Sequence, residues 1–193
     1  MLMDKQDEKR ALRRTIRRME RELPDQYRAD ASRRIARILL ASKLYRDAEI
    51  ISCFVGTRHE IDTGEILNHA LSKSNGKTLC VPLCVGPGVA QMRRIDSLEQ
   101  LSPGMMGILE PDPDTPEIPP ERIDFIILPC LSCDLHGRRL GYGGGYYDRF
   151  LTRYHGELVL LCRERLILPE IPFESHDRLA PLILTERGFY KIS

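Results

Sequence analysis

Apolar residues near the start of the chain recur at spacings of three and four, which is the period of one face of an α-helix. These residues are Leu12, Ile16, Met19 and Leu23. A second helical pattern follows Pro24 and extends to about Tyr45. Together the two patterns predict a helical hairpin within residues 1–46.

Beyond residue 46, short apolar runs alternate with helical patterns. Strands are predicted over residues 49–55, 77–83, 91–95, 124–129, 157–162, 181–185 and 188–192, and helices over 62–71 and from 146 to about 154. The run Phe125–Leu128 is apolar without alternation, as expected of a strand that is covered on both faces. The pattern predicts an α/β fold of three layers, Rossmann-like, with a mainly parallel sheet between helices. Ligands of such sheets bind beyond the carboxyl ends of the strands.

Three local features refine this prediction. Asp62 is expected to cap the helix that follows it, with Glu65 three residues further on as in a capping box. Residues 97–101 are expected to form a helical turn. The Pro-rich segment 110–120 is expected to be a surface connection, because proline interrupts both helices and strands.

The length of 193 residues fits one domain, with a basic hairpin (1–46) attached to an α/β core (47–193). No apolar run approaches the roughly 18 residues that a membrane span requires. The charged N-terminus lacks the apolar core of a secretory signal. A cytoplasmic protein without a membrane partner is therefore expected, as a monomer or a weak dimer.

Six cysteines in such a protein are expected to be reduced. The pairs Cys80/Cys84 and Cys130/Cys133 have spacings at which thiolates could share a zinc ion. Each pair also lies in or just after an apolar run, where free cysteine acts as a small buried hydrophobe. The second interpretation is preferred.

Basic residues are concentrated at the front of the chain, where residues 1–46 contain 14 Lys and Arg against 7 Asp and Glu. Such a segment indicates an anionic partner, for which nucleic acid, an acidic membrane surface and nucleotide phosphates are the candidates. For most of these arginines a solvated helix face is the preferred interpretation. They include Arg14, Arg17, Arg18 and Arg21.

The segment Arg138–Arg149 contains four glycines within five positions, after an apolar strand and before a helix. Glycines let backbone amides approach an anion, and the helix N-terminus adds partial positive charge. The segment has neither the Gly-Lys-Ser/Thr of a Walker A loop nor the G-x-G-x-x-G spacing. On spacing alone, a phosphate-binding loop and a flexible turn both remain open.

The run Arg139-Leu-Gly-Tyr-Gly-Gly-Gly-Tyr-Tyr-Asp-Arg149 resembles the signature of the 5-formyltetrahydrofolate cyclo-ligase family. Further elements are similar to that family and occur in the same order. They are Lys9-x-x-Leu12-Arg13, His59-Glu60-Ile61-x-Thr63, Gly107-Ile-Leu-Glu-Pro111, Pro169 through His176-Asp177, and Thr185-Glu186. The resemblance implies a magnesium-dependent reaction in which ATP and 5-formyltetrahydrofolate give 5,10-methenyltetrahydrofolate, ADP and phosphate.

By this resemblance, two sets of residues bind the substrates. The implied ATP-binding residues are Lys9, Arg13, Arg139, Leu140, Gly141, Tyr142, Gly143, Gly144, Gly145, Tyr146 and Tyr147. The implied folate-binding residues are Val55, Glu60, Tyr142, Gly143, Gly144, Gly145 and Tyr146. Met92 is expected either to line the pterin pocket or, preferably, to fill the core.

The resemblance also implies catalytic roles for Arg139 and Tyr147 and magnesium binding by Asp148 and Asp177. Carboxylate oxygens suit that ion. Simpler interpretations exist: Tyr147 as a packing aromatic, Asp148 as a first-turn carboxylate and Asp177 as a turn residue. His176 would orient Asp177.

The chain departs from the family pattern at four places, which are Cys133, the segment 163–165, Ala180 and Gly144, where many members have lysine. These differences concern the folate pocket more than the ATP site. A non-catalytic nucleotide- or RNA-binding module on the same fold is the alternative function, although two acids in a basic site argue against it. A ligase or kinase for another pterin-like or formamide substrate is a third.

Overall fold

The computed structural model describes residues 4–104, 107–174 and 177–192. Within these ranges it contains five α-helices. They are α1 (Lys5–Glu22), α2 (Asp25–Leu40), α3 (Lys43–Asp47), α4 (Gly64–Leu71) and α5 (Tyr146–Leu151). The strands are β1 (Ile50–Cys53), β2 (Thr78–Gly86), β3 (Val89–Ile95), β4 (Leu101–Pro103), β5 (Leu109–Pro111), β6 (Glu117–Ile118), β7 (Phe125–Leu128), β8 (Ser132–Cys133), β9 (Arg139–Leu140), β10 (Glu157–Leu161), β11 (Leu182–Thr185) and β12 (Gly188–Lys191).

Eight strands form one sheet in the order β12-β11-β10-β7-β1-β2-β3-β6. The central strands β2, β1, β7, β10 and β11 are parallel to their neighbours, whereas β12, β3 and β6 pair antiparallel at the two edges. The chain adds β2 on one side of β1 and β7 on the other. The carboxyl ends of β1 and β7 therefore form a topological switch point, where doubly wound sheets bind ligands.

Alternate residues of the central strand β7 face opposite sides of the sheet. Phe125 and Ile127 belong to one hydrophobic core, and Ile126 and Leu128 to a second core. All four side chains are buried. The predicted three-layer fold with helices on both faces is therefore confirmed.

Both predicted N-terminal helices are present, but their buried residues are divided between the two cores. Ile16 of α1 packs in the core that contains Ile126, whereas Ile35 and Leu39 of α2 pack in the core that contains Phe125. The helices therefore cover opposite faces of the sheet, unlike a hairpin with one shared apolar interface. Each apolar stripe is thus buried in a core of the sheet to which it belongs, Ile16 in one and Ile35 in the other.

Several local predictions need correction. Thr63, not Asp62, is the N-cap residue of α4, although the Asp62 carboxylate accepts a hydrogen bond from Gly64 N at 2.8 Å. The segment 110–120 takes part in two short antiparallel pairings, β4 with β5 and β3 with β6. Helix α5 ends at Leu151, before the predicted boundary near Tyr154. The turn at Leu98–Gln100 is confirmed and carries a capping box.

No helix in the described part of the chain has the length and apolar composition needed to cross a membrane.

Candidate active site

One face of helix α1, along positions 9, 13, 16 and 20, lies against the site. Lys9, Ile16 and Glu20 are buried, and Arg13 is half-buried. The Arg13 Nε atom donates a hydrogen bond to the Gly141 carbonyl at 2.8 Å. Arginines on the other side of the helix are exposed, so the predicted solvated face is confirmed. They are Arg14, Arg17, Arg18 and Arg21.

Lys9 is paired with two carboxylates from the C-terminal part of the chain. Its Nζ atom lies 2.7 Å from Glu174 Oε2 and 2.6 Å from Asp177 Oδ2, and only 4% of the residue is exposed. A buried ammonium ion needs such partners, because burial removes it from water. Lys9 therefore lies beside Asp177. His176, which the sequence suggested as the residue that orients Asp177, lies outside the described residues.

A second ion pair joins the start of the glycine loop to its end. Arg139 donates through Nη2 to Asp148 Oδ1, and the arginine side chain is only 5% exposed. Arg13 links the two pairs: burial and the neighbouring Arg17 charge lower the pKa of its guanidinium, whereas Asp177 and Asp148 oppose this shift. Three cations and two carboxylates implied by the resemblance are thus gathered in one place.

The glycine loop has a backbone that side chains would strain. Gly143 has φ 106° and Gly145, the residue that precedes α5, has φ 68°, both in the region that favours glycine. A Cβ atom at Gly144 would lie 2.4 Å from Cε2 of Tyr146, so a lysine there would require that ring to move. Position 144 therefore has room for glycine but not for a larger side chain unless the Tyr146 ring moves.

The predicted folate residues surround the carboxyl end of β1. Val55 follows β1, and the Glu60 carboxylate accepts a hydrogen bond from Thr57 N at 2.9 Å within the loop that leads to α4. Tyr142 reaches the same place from the glycine loop. Partial burial and the adjacent Glu60 carboxylate raise the pKa of its hydroxyl, while 39% of the residue stays exposed. Glu60 and Tyr142 therefore face each other across the switch point.

Two residues that hold this loop were not assigned to the site from the sequence. Thr63 Oγ1 donates to the Phe54 carbonyl at 2.9 Å and accepts from Gly56 N at 3.0 Å, which ties α4 to the end of β1. Arg163 donates to the carbonyls of His59 at 3.1 Å and Glu60 at 2.6 Å. The sequence signal for Thr63 was its place in the family-like element 59–63. Arg163 was noted only within the segment 163–165, where the chain departs from the family pattern.

Arg163 is itself held by α1. It is 4% exposed, its Nη1 atom lies 3.6 Å from Glu20 Oε1, and burial lowers the pKa of its guanidinium, while the Glu20 carboxylate acts in the opposite direction. Glu20 also pairs with Arg28 at 3.4 Å and His59 at 3.0 Å. Glu20 was not singled out from the sequence, but through Arg163 and His59 it anchors the loop that carries Glu60.

Three predicted site residues pack mainly in or against the hydrophobic cores. The Leu140 side chain is fully buried in a core, so only its backbone can face a ligand. Met92 is 1% exposed, and its sulfur accepts a hydrogen bond from Ser52 Oγ at 3.2 Å, as the preferred core interpretation expects. Tyr147 packs against both cores, and burial raises the pKa of its hydroxyl.

Cys84 interacts with residues from two elements of the site, Glu110 and Tyr146. Burial and the Glu110 carboxylate raise the pKa of its thiol to about 12, and a hydrogen bond with Tyr146 opposes the shift. Glu110 is 7% exposed, and its Oε1 atom has no hydrogen-bond partner in the described ranges. The Gly-Ile-Leu-Glu-Pro element thus points a buried acid toward the glycine loop.

A cavity of about 440 Å³ adjoins the charged cluster and shares Asp177 with it. Its walls are mainly apolar. The lining residues are Leu151, Tyr154, Leu158, Phe173, Asp177, Arg178 and Leu179. The volume falls in the range of small-molecule sites, about 300–1,000 Å³.

Comparison with known proteins identifies the group to which the chain belongs. A model of the 5-formyltetrahydrofolate cyclo-ligase family matches residues 5–186. The chain belongs to this family. The sequence-based predictions of the family, of the fold and of a cyclo-ligase enzyme are therefore confirmed, and the alternative of a nucleic-acid-binding module has no support.

Relatives of the cyclo-ligase family are similar over most of the chain. The Arabidopsis thaliana 5-formyltetrahydrofolate cyclo-ligase, mitochondrial, is 30% identical over 212 residues, which cover 96% of this chain and 76% of the relative. The Mus musculus 5-formyltetrahydrofolate cyclo-ligase is 28% identical and covers 92% of this chain and 93% of its own. The name of the plant relative includes a mitochondrial location, so the cytoplasmic location of this protein stays a prediction.

A solved structure supports the same fold. The NMR structure of Aquifex aeolicus 5,10-methenyltetrahydrofolate synthetase is 26% identical in sequence, with a TM-score of 0.83 over 95% of this chain and 92% of that chain. A second structure, of a 5,10-methenyltetrahydrofolate synthetase from Mycoplasma pneumoniae, has a TM-score of 0.76 at 18% identity.

Proposed function

We propose that the protein uses ATP and Mg²⁺ to convert 5-formyltetrahydrofolate into 5,10-methenyltetrahydrofolate, ADP and phosphate. The observation that carries this proposal is the gathering of Lys9, Arg13 and Arg139 with Asp148 and Asp177 at the glycine loop. Cations of this kind bind phosphates, and the loop amides and the start of α5 add further donors.

The two carboxylates fit a magnesium ion. Their oxygens are hard ligands, and Mg²⁺ usually completes its octahedron with waters and phosphate oxygens, so two protein ligands suffice. Asp148 and Asp177 would hold the ion, which neutralises charge on the transferred phosphoryl group when bound.

The ion pairs of the free protein prepare this site. Lys9 neutralises Asp177, and Arg139 neutralises Asp148, so neither set of charges is buried alone. Asp148 and Asp177 would be available to the ion if Arg139 and Lys9 turned to phosphate oxygens of ATP. Each of these charged groups would then keep an opposite partner, which would limit the electrostatic cost of binding.

Folate binds at the other side of the loop, between Glu60 and Tyr142. The Glu60 carboxylate offers acceptors to the amino and ring N–H groups of the pterin. Arg163 fixes the backbone on which Glu60 stands, by its bonds to the carbonyls of His59 and Glu60. The glycine loop separates the two substrates, so Gly143 to Tyr146 contact both of them.

The reaction then needs positioning more than covalent help from the protein. The formyl oxygen attacks the γ-phosphorus, the bond to the β,γ-bridging oxygen breaks, and ADP leaves. N10 next attacks the formyl carbon, phosphate leaves with the former formyl oxygen, and the proton of N10 passes to water. Arg139 lies where it can balance charge on the transferred phosphoryl group, and Tyr147 packs behind the loop. The apolar cavity that shares Asp177 accommodates the adenine.

An absorbance assay for the methenyl product tests the proposed reaction. Purified protein with 5-formyltetrahydrofolate, ATP and Mg²⁺ is expected to form product with one ADP released per turnover. Omission of ATP, and separately removal of Mg²⁺ by a chelator, are the controls and should each abolish turnover. Product formed without ATP, or no product in the complete mixture, would contradict the proposal.

The replacement Glu60→Gln should raise KM for 5-formyltetrahydrofolate about tenfold, which corresponds to the roughly 1.5 kcal/mol lost with one hydrogen bond to a charged group. The amide still accepts the bond from Thr57 N, so the loop is preserved. KM for ATP should change little. Steady-state kinetics measure both constants, and Glu65→Gln, an exposed acid on α4, serves as the matched control. Equal folate KM values in the two variants would refute the role of Glu60.

A further inference from the structure

Three cysteines form a cluster beside the switch point. The sulfur atoms of Cys130, Cys133 and Cys162 all lie within 4.8 Å of one another, and the three residues are free thiols. Cys133 and Cys162 are 0% and 2% exposed, and Cys130 is partly buried. The zinc site considered from the sequence paired Cys130 and Cys133 with Cys80 and Cys84. The structure replaces that second pair by Cys162.

The sheet register explains why Cys162 joins the cluster. Strands β7 and β10 are parallel, with Leu128 opposite Leu160. Cys130 and Cys162 each follow two residues later, so both leave the sheet at the same edge. The chain then turns through β8, where the Cys133 carbonyl accepts a hydrogen bond from Leu168 N at 2.9 Å, which ties Cys133 to the segment that follows Cys162. The fold therefore builds the cluster from main-chain pairings.

The cluster has buried basic neighbours. Arg163 follows Cys162 directly and is 4% exposed. Arg139, whose side chain is 5% exposed, is the strand partner of Cys133 in the pairing of β8 with β9. The Nε atom of Arg163 is buried and has no hydrogen-bond partner among the residues described. Two buried cations thus stand beside the three sulfurs.

We propose that Cys130, Cys133 and Cys162 bind a thiophilic divalent metal ion of the zinc class. Zinc–sulfur bonds of about 2.3 Å place the sulfurs of a tetrahedral site roughly 3.8 Å apart, so a modest contraction of the observed cluster suffices. Three thiolates with one Zn²⁺ carry a net charge of −1, and the buried Arg163 guanidinium belongs to the residue directly after Cys162. Water or a small thiol takes the fourth position, on the side of the partly exposed Cys130.

A metal ion at this place connects directly to the folate side of the active site. The Tyr142 hydroxyl lies 3.5 Å from the Cys130 carbonyl, and Arg163 holds the backbone of Glu60. The first contact involves Cys130 itself, and the second involves the residue directly after Cys162. Metal binding would therefore fix the ends of β7 and β10 and, with them, two walls of the pocket. This consequence is separate from the proposed reaction, which does not require the cluster.

Cobalt substitution tests the site in the intact protein. The starting sample is metal-free protein whose intact mass shows six reduced thiols. One equivalent of Co²⁺ per chain is expected to give a thiolate-to-cobalt charge-transfer band in the near ultraviolet, with an intensity corresponding to three thiolates, and visible bands typical of tetrahedral cobalt. One equivalent of Zn²⁺ should bleach both. Absence of the charge-transfer band overturns the proposal without the need for any variant.

Cysteine variants then assign the ligands. Cys162→Ser should weaken Zn²⁺ binding by at least about 10–100-fold. Loss of a residue that only contacts a metal ligand already has an effect of this size, and loss of a ligand should have no smaller one. Competition with a chromophoric chelator measures the affinity. Cys80→Ser is the matched control, because Cys80 is also buried but its thiol donates to the Ile51 carbonyl at 3.4 Å, outside the cluster. The control should keep the parent affinity. Equal Zn²⁺ affinities of the Cys162→Ser variant and the parent protein would overturn the assignment.

Discussion

Replacement of Asp148 by asparagine should lower kcat by about 10²–10³-fold, the cost of removing one preorganised electrostatic group from a transition state. The amide keeps the shape of the side chain but loses the negative charge that pairs with Arg139 and that is proposed to hold Mg²⁺. The Mg²⁺ concentration for half-maximal activity should rise as well. Steady-state rates measured over a range of Mg²⁺ concentrations report both effects.

The control for this replacement is Glu170→Gln. Glu170 pairs with Arg138, the neighbour of Arg139, at 2.7 Å, but 75% of its side chain is exposed. Its loss should leave kcat and the Mg²⁺ requirement unchanged. A thermal unfolding curve separates catalysis from stability, since Asp148→Asn also leaves the Arg139 guanidinium, 5% exposed, without its charged partner. Asp148→Asn protein with nearly normal kcat and Mg²⁺ dependence would remove the metal assignment.

Replacement of Lys9 by alanine should raise KM for ATP about 10–100-fold, because a charge-assisted hydrogen bond contributes roughly 1.5–3 kcal/mol. In the free protein, Lys9 holds Asp177 and Glu174. In the complex it would turn to the phosphates, so its loss removes binding energy from ATP but little from folate. Initial rates at varied ATP, with saturating folate, measure the change.

Lys5→Ala is the matched control on the same helix. Lys5 lies one turn before Lys9, is exposed, and donates to the Phe173 carbonyl at 2.7 Å. Its KM for ATP should equal that of the parent protein. If Lys9→Ala lowers the melting temperature but leaves KM for ATP unchanged, Lys9 only neutralises the carboxylates, and its phosphate-binding role is wrong.

The strands of the central sheet could be predicted because their signal is local. The run Phe125–Leu128 is apolar at every position, and the structure buries all four side chains. The glycine loop was found for the same reason, since its composition alone indicates an unusual backbone. Its φ angles at Gly143 and Gly145 agree with that indication.

Features that depend on pairing between distant segments could not be predicted in this way. Cys162 joins Cys130 only because the register places Leu128 opposite Leu160. Likewise, the apolar stripes of α1 and α2 are clear in the sequence, but which face of the sheet each covers depends on the whole topology. Burial of Glu20 follows from that choice, because α1 then lies against Arg163.

Helix α1 contacts the site at two points along its length. Lys9 and Arg13 lie beside the glycine loop, whereas Glu20 holds Arg163. Lys9 and Glu20 are eleven positions apart, a span of about 16 Å at the rise of an α-helix. On the proposed assignment of the two substrates, one continuous helix would therefore connect the ATP side of the site to the folate side. A displacement of α1 caused by one ligand would then reach the residues that bind the other.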